Sequence, residues 1–148
     1  MRKQNIYRDV QVSLLRFSKE FQALMASRGL VLGFVNLDAH ADQTTWPKGD
    51  FLGMGELTVD IGSMDTVQVG FAIATEGDPN LLRMSKIVNE LTNYLLPGCS
   101  VMVVDAETGA PRCNLRVADG VRVGAPLATK SQPMTPIMVN FLSDLGVY

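Results

Sequence analysis

Apolar residues recur at steps of three and four from about Asp9 to Ser27, through Val10, Leu14, Phe17, Phe21, Leu24 and Met25. That spacing is the stripe of an amphipathic helix. Arg16, Lys19, Glu20 and Gln22 fall largely on its other side, and Gly29 is a natural stop. Leu30 to Leu37 then reads as a buried strand. Asp38 to Gly55 has no clean period and holds Asp, Thr, Gly and Trp46-Pro47, so it predicts a long loop. Loops of that length in a compact domain are usually functional or mobile. Glu56 to Ile61 alternates strictly, Gly62-Ser63-Met64-Asp65 supplies a turn, and Val67, Val69, Phe71 and Ile73 form the inward face of a second strand. Together they predict a hairpin over residues 56–74.

Asp78 and Pro79 fit the cap and first position of a second helix over residues 79–96, striped by Leu81, Met84, Ile87, Val88, Leu91, Tyr94 and Leu95 and ended by Pro97-Gly98. Strands follow over residues 99–142: Ser100 to Asp105, then Arg112 to Val117 and Val121 to Val123 on either side of Asp119-Gly120, a favoured tight-turn pair. The last strand carries Ile137, Val139 and Phe141 in alternation. Hairpins dominate and helices are few. The expectation is one α+β domain over residues 1–148, a mainly antiparallel sheet with two helices packed on one face.

The 148 residues are 47% apolar, enough for one real core. No apolar run is long enough to span a membrane, and no apolar signal core follows the basic start. Cys99 and Cys113 make no disulfide framework, so a reducing interior is expected. A net charge of −2 argues against general nucleic-acid binding. Its distribution is uneven: residues 1–28 carry +4, from Arg2, Lys3, Arg8, Arg16, Lys19 and Arg28 against Asp9 and Glu20, and the remainder carries −6. A basic leading helix on an acidic body suits an acidic partner or head-to-body self-association, and it equally suits a solvated helix face.

Motifs for chemistry are sparse. His40 lies in Asp38-Ala39-His40-Ala41-Asp42, which on a strand would put two carboxylates and an imidazole on one side as metal ligands. In a loop, as expected here, the same residues are a solvated polar segment. Neither cysteine belongs to a Cys-x-x-Cys pair, Gly-x-Ser-x-Gly is absent, and Gly53-Met54-Gly55 precedes a strand and reads as a turn. Arg112 and Arg116 share a parity and with Arg122 and Lys130 form a basic strip, but no aromatics interleave with it for base stacking. Edge-strand charge and pairing with a neighbouring subunit are its other readings. Of eight methionines, Met54, Met64, Met134 and Met138 lie off the helix stripes, which favours an adaptable contact surface over a rigid pocket. The chain reads as a non-enzyme, with no catalytic, cofactor or metal residue assigned.

The layout resembles the tail-terminator (tail-completion) proteins of tailed bacteriophages. The likeness lies in the leading helix, the strand and long loop, the hairpin Glu56–Ala74, the break Thr75-Glu76-Gly77-Asp78-Pro79-Asn80 and the helix to Leu96-Pro97-Gly98. Strand Val101–Asp105 and the closing Thr135-Pro136-Ile137-Met138-Val139-Asn140-Phe141 complete it. Pro126–Pro136 and Gly146-Val147-Tyr148 have no counterpart in it. The resemblance implies a virion protein of the tail or neck, made in the host cytoplasm. It would form a homo-oligomeric ring, a hexamer as one option, that caps the tail tube, ends its polymerisation and joins it to the head connector. Tail-tube and connector proteins would be its partners, with no cofactor and no membrane, and DNA only passing through the lumen. Interface residues would be Arg8, Arg16 and Lys19 on the helix, Asp42, Trp46 and Lys48 in the loop, and Arg112 and Arg116 on the later strands. Other readings are a different neck, head-closure or capsid-decoration protein, a small cytosolic enzyme using His40 with Asp38 or Asp42, and an adaptor binding a peptide at a sheet edge.

Overall fold

Each amphipathic stripe has a matching strand face, so the two helices and the sheet close on one core. The computed structural model describes residues 6–40, 42–62, 65–96, 98–129 and 132–143. Arg2, Lys3, Ala41, Ser63, Met64, Pro97, Lys130 and the tail residues 146–148 lie outside them. Helix α1 is Ile6–Ser27, and strands β1 (Gly33–Asn36), β2 (Phe51–Asp60) and β3 (Asp65–Ala74) follow. Helix α2 (Leu82–Tyr94) leads to β4 (Ser100–Val104), β5 (Pro111–Val123) and β6 (Met134–Ser143). The fold is α+β. One six-stranded sheet runs in the order β1-β2-β3-β6-β5-β4, antiparallel except for the parallel pair β1–β2. No helix among the described residues is long and apolar enough to cross a membrane.

Val10, Leu14, Phe21 and Met25 of α1 and Met84, Ile87 and Leu91 of α2 are buried in one cluster with Leu52, Met54, Val69, Phe71, Val103, Leu115, Val139 and Phe141. Both helices therefore cover the same face. Helix α1 meets β4 near its start, where Ser13 Oγ accepts from Val104 N at 3.0 Å. Near its end, Gln22 Nε2 donates to the carbonyl of Leu32, which precedes β1, at 2.6 Å. The helix thus bridges the two edge regions of a curled sheet. It stops at Gly29, at φ +79°, with Gly29 N bonded to Ala26 O and Leu30 N to Met25 O. That is the 5→2 and 6→1 pairing that closes a helix on a left-handed glycine.

Several boundaries depart from the sequence pattern. The long loop ends at Asp50, because residues 51–55 already belong to β2, 51–54 pairing with both β1 and β3 and Gly55 with β3. Gly53 and Gly55 are strand residues, not a turn. A Cβ on Gly53 would stand 2.9 Å from Leu37 Cδ1, and one on Gly55 would stand 2.8 Å from Leu37 Cβ. The glycines make room for Leu37 to lie across the sheet, a use of glycine for close approach. Gly55→Ala is expected to cost about 1–3 kcal/mol by overpacking. Urea unfolding followed by the fluorescence of Trp46, the one tryptophan, checks it.

Asp119-Gly120 turns no hairpin. Strand β5 runs through it with an irregularity between Val117 and Val121 and pairs with β6, which is inserted between β3 and β5. Met54 is 1% exposed and is core, not contact surface. The second helix breaks after a short 3-10 turn, Pro79–Leu81, in which Asn80 and Leu81 take left-handed φ of 57° and 55°. Asp78 caps the helix beyond that break: its carboxylate accepts from Arg83 N at 3.0 Å, Met84 N at 2.8 Å and Thr75 Oγ1 at 2.9 Å.

Desolvation pushes the Asp78 carboxyl up, but the two backbone N–H groups, the Thr75 hydroxyl and the Arg83 charge together hold it below the ordinary carboxylate value. Its contribution to stability is therefore complete above the unfolded value of about 3.9 and is lost as pH falls through the lower folded value. Asp78→Ala is expected to cost about 1 kcal/mol near neutral pH, as for a lost helix cap. The gap to the wild type should close as the pH of the denaturation series drops below about 4.

Candidate interaction surface

Residues 37–50 carry no regular period, yet the described ones are tied down at several points. Asp38 accepts from Glu56 N at 2.8 Å and Leu57 N at 3.3 Å. Those are the two N–H groups that the bulge between Gly55 and Thr58 leaves without a ladder partner, and Glu56 there has φ 54°. Asp42 caps the 3-10 turn Gln43–Thr45, accepting from Thr44 N at 2.9 Å. The Thr44 N–H and then the Thr44 side chain hold the Asp42 carboxyl below its ordinary value. Trp46 Nε1 donates to His40 O at 2.7 Å, and its ring meets Phe51 edge-on, with centroids 5.8 Å apart at 65°. Trp46, Leu37, Val35, Phe51, Ala74 and Met134 form a second small core on the sheet face away from the helices.

The loop's far end is held by Asp50. Its carboxylate accepts from Arg83 Nε at 2.6 Å and Nη2 at 2.9 Å, and from Glu76 N at 3.0 Å. Arg83 Nη2 also donates to Glu76 O at 2.6 Å, and Gly49 N to Glu76 Oε2 at 3.2 Å. Hydrogen bonding to Asp50 raises the Arg83 guanidinium further. Gln132, two residues before β6, reaches over and donates from Nε2 to Gly49 O. Three chain segments thus meet at one end of the sheet, around an open cleft of about 300 Å³ lined by Gln43, Thr44, Trp46, Pro47, Lys48, Glu76 and Gln132.

The residues expected at interfaces divide. Asp42, Trp46 and Lys48 come together on this surface. Arg8 and Arg16 are exposed on α1, 3.3 Å from Glu107 and 3.5 Å from Glu20, and Lys19 is exposed on the same helix. Arg28 pairs with Glu90 of α2. Part of the basic segment therefore meets the acidic body within the chain. Arg112 and Arg116 do not share a face. A register irregularity between Val103 and Val104 turns Arg112 inward onto Asp9, itself 1% exposed, whereas Arg116 stays in the ladder opposite Ser100 and is exposed.

The aspartates beside His40 bind backbone N–H groups, as above, and among the described residues no three His, Cys, Asp or Glu side chains come together as a metal would need. Asp50, Glu76, Arg83 and Gln132 carry this surface without having been singled out by the sequence. One signal was available for Arg83: a cation in the first turn of a helix opposes the helix dipole and needs a specific partner.

No protein-family model and no curated protein matches the chain. Among solved structures, it superposes on a chain with a TM-score of 0.64 at 13% identity, over 93% of this chain and 96% of that one. At that identity the likeness is one of fold.

Proposed function

We propose that the chain is a structural subunit of a phage tail or neck, one that assembles into a ring on the last ring of the tail tube, ends its growth and offers a surface to the head connector. The observation that carries this reading is the state of the 37–50 loop. A long loop beside a catalytic centre is commonly a closing lid. This one is fixed at Asp38, Asp42, Trp46, Gly49 and Asp50, and the carboxylates of Asp38, Asp42 and Asp50 are spent on backbone and side-chain partners that hold its shape. Such a segment is built to present a permanent surface, and a rigid scaffold carrying an exposed loop is where binding residues collect.

A closed ring needs a heterologous contact, in which one patch meets a different patch of the next copy. The sheet supplies two unlike ends for it, the short edge strands β1 and β4. Co-sedimentation with tail tubes of the cognate virion tests the reading. The wild type should pellet with the tubes, and Lys48→Glu, at an exposed loop position, should weaken that binding without changing the urea midpoint. A wild type left wholly in the supernatant would overturn it.

A further inference from the structure

We infer that two copies of this chain pair antiparallel along the open edge of β4, with Ser100 of each opposite Met102 of the other. Strand β4 ends the sheet on one side. Cys99 O accepts from Val117 N at 2.9 Å, and successive residues of an antiparallel strand point their backbone groups to opposite sides. Val101 and Val103 therefore bond to Leu115 and Cys113 of β5, whereas Ser100, Met102 and Val104 turn their groups outward. The Val104 N–H agrees with that parity, because Ser13 Oγ of α1 caps it at 3.0 Å. Ser100 and Met102 have no such cap among the described residues. Their N–H and C=O groups stand open in a row, two donors and two acceptors.

The occupant this pattern fits is the same stretch of a second copy. Laid against itself with Val101 opposite Val101, it gives every open donor an open acceptor, four hydrogen bonds with no group left over. The other edge of the sheet does not offer this. In β1 the amides of Gly33 and Leu37 bond to Asp50 and Met54, so Phe34 and Asn36 face outward. Leu32 O is taken by Gln22, and Asn36 O by Ala39 N and His40 N, which leaves Phe34 alone with both groups open. Nor is β4 guarded. Its sequence Ser-Val-Met-Val-Val holds no charge and no proline, the devices that keep an edge from pairing.

Side chains agree with the register. Beside the open edge a groove of about 270 Å³ runs between β4 and α1, lined by Ser13, Arg16, Phe17, Glu20 and residues 100–102. Val101 lies on the helix side, so Val101 of the arriving strand enters that groove next to Phe17 and its own counterpart. Arg16 and Glu20 pair with each other at 3.5 Å and bring no net charge to the contact. On the opposite face Met102 is 54% exposed, and the two Met102 side chains lie diagonally, about 7–8 Å apart, across the small Ser100 residues. The contact is short and belongs to the weak class. It is isologous, so it closes at two chains. This pairing goes beyond the ring reading: it occupies β4 in the free chain, and a ring contact at β4 has to displace it.

Sedimentation velocity over a low-micromolar to millimolar series tests this on the full chain. The wild-type mass should rise with concentration toward two chains and stop there. Met102→Pro removes an N–H that β5 does not use, so it should leave the urea midpoint unchanged. It takes away two of the four bonds and should weaken pairing at least about tenfold. Ser100→Pro should do the same. Register is read by cross-linking. Directly opposed, hydrogen-bonded residues lie about 5.5 Å apart at Cα, a span a disulfide can bridge. A mixture of Ser100→Cys and Met102→Cys chains under mild oxidation should therefore link into dimers. Either variant alone should link no more than the wild type, whose Cys99 and Cys113 pack against the core.

A wild type that stays monomeric throughout, a folded Met102→Pro chain that pairs as the wild type does, or Ser100→Cys linking to itself as readily as in the mixture would overturn the inference. Tail tubes separate it from the reading above. A wild type that pellets with tubes yet stays monomeric in free solution overturns this pairing alone, whereas pairing through β4 without any tube binding overturns the tail reading alone.

Discussion

Asp9→Ala is expected to cost about 3–5 kcal/mol of folding stability, the usual result of removing one partner from a buried ion pair. Asp9 is 1% exposed and faces the guanidinium of Arg112, whose side chain is 10% exposed. The same carboxylate accepts from Ala106 N at 2.8 Å. Alanine would leave a guanidinium out of water without its counter-charge and a backbone N–H without its acceptor, and both losses have the same sign. The pair ties α1 to the turn between β4 and β5, so the helix start should loosen first. Arg112→Met should cost less than Asp9→Ala because the carboxylate keeps its backbone donor, and Asp9→Leu with Arg112→Met together should cost less than the two separate losses added. Urea midpoints at fixed slope measure all of these. A loss under about 1 kcal/mol for Asp9→Ala would place the pair among hydrated surface bridges instead.

Phe71→Ala is expected to cost about 3–5 kcal/mol, the range for truncating a fully buried phenylalanine. Phe71 is 1% exposed in the middle of β3, opposite Met54 of β2 and Ile137 of β6, and its ring lies 5.9 Å from that of Phe17 on α1. Strands on both sides are held by ladder bonds, so the site cannot collapse onto the hole, which places the cost toward the upper end. Val31→Ala, at a position 79% exposed, is the control and should fall within about 0.5 kcal/mol of the wild type. Similar losses for the two would contradict the placement of the core.

The parts of the fold readable in the sequence are those set by one face and one period. The stripe of α1, the inward residues Val67, Val69, Phe71 and Ile73 of β3 and those of β6 follow from local spacing and are largely buried. The alternation expected over residues 56–61 is broken by the bulge after Gly55, and Ile61 falls beyond β2 and is exposed. What did not read locally depends on partners far along the chain. Gly53 and Gly55 look like a turn until Leu37, brought in by the parallel β1, is laid across them. Asp119-Gly120 carries a tight-turn signal, but β6 supplies a partner on which β5 can continue with a bulge. Parity put Arg112 beside Arg116, and a one-residue register shift moved it to the helix side.

The interaction surface divides in the same way. Loop length alone pointed to Asp42, Trp46 and Lys48, whereas the Asp50–Arg83 pair spans 33 residues and is visible only after folding. Asp38 was read beside His40 as a possible ligand, and its role is to satisfy the two amides of the bulge. The acidic residues of that segment serve the loop's own geometry.

The role proposed for this chain is that of a ring that ends a tail tube. Negative-stain imaging of the purified protein mixed with cognate tail tubes, beside a solution mass for the protein alone, tests it most directly. Closed rings should be seated at one end of the tubes, with tube length no longer increasing once they are in place. Tubes with bare ends that continue to lengthen in the presence of excess protein would contradict it.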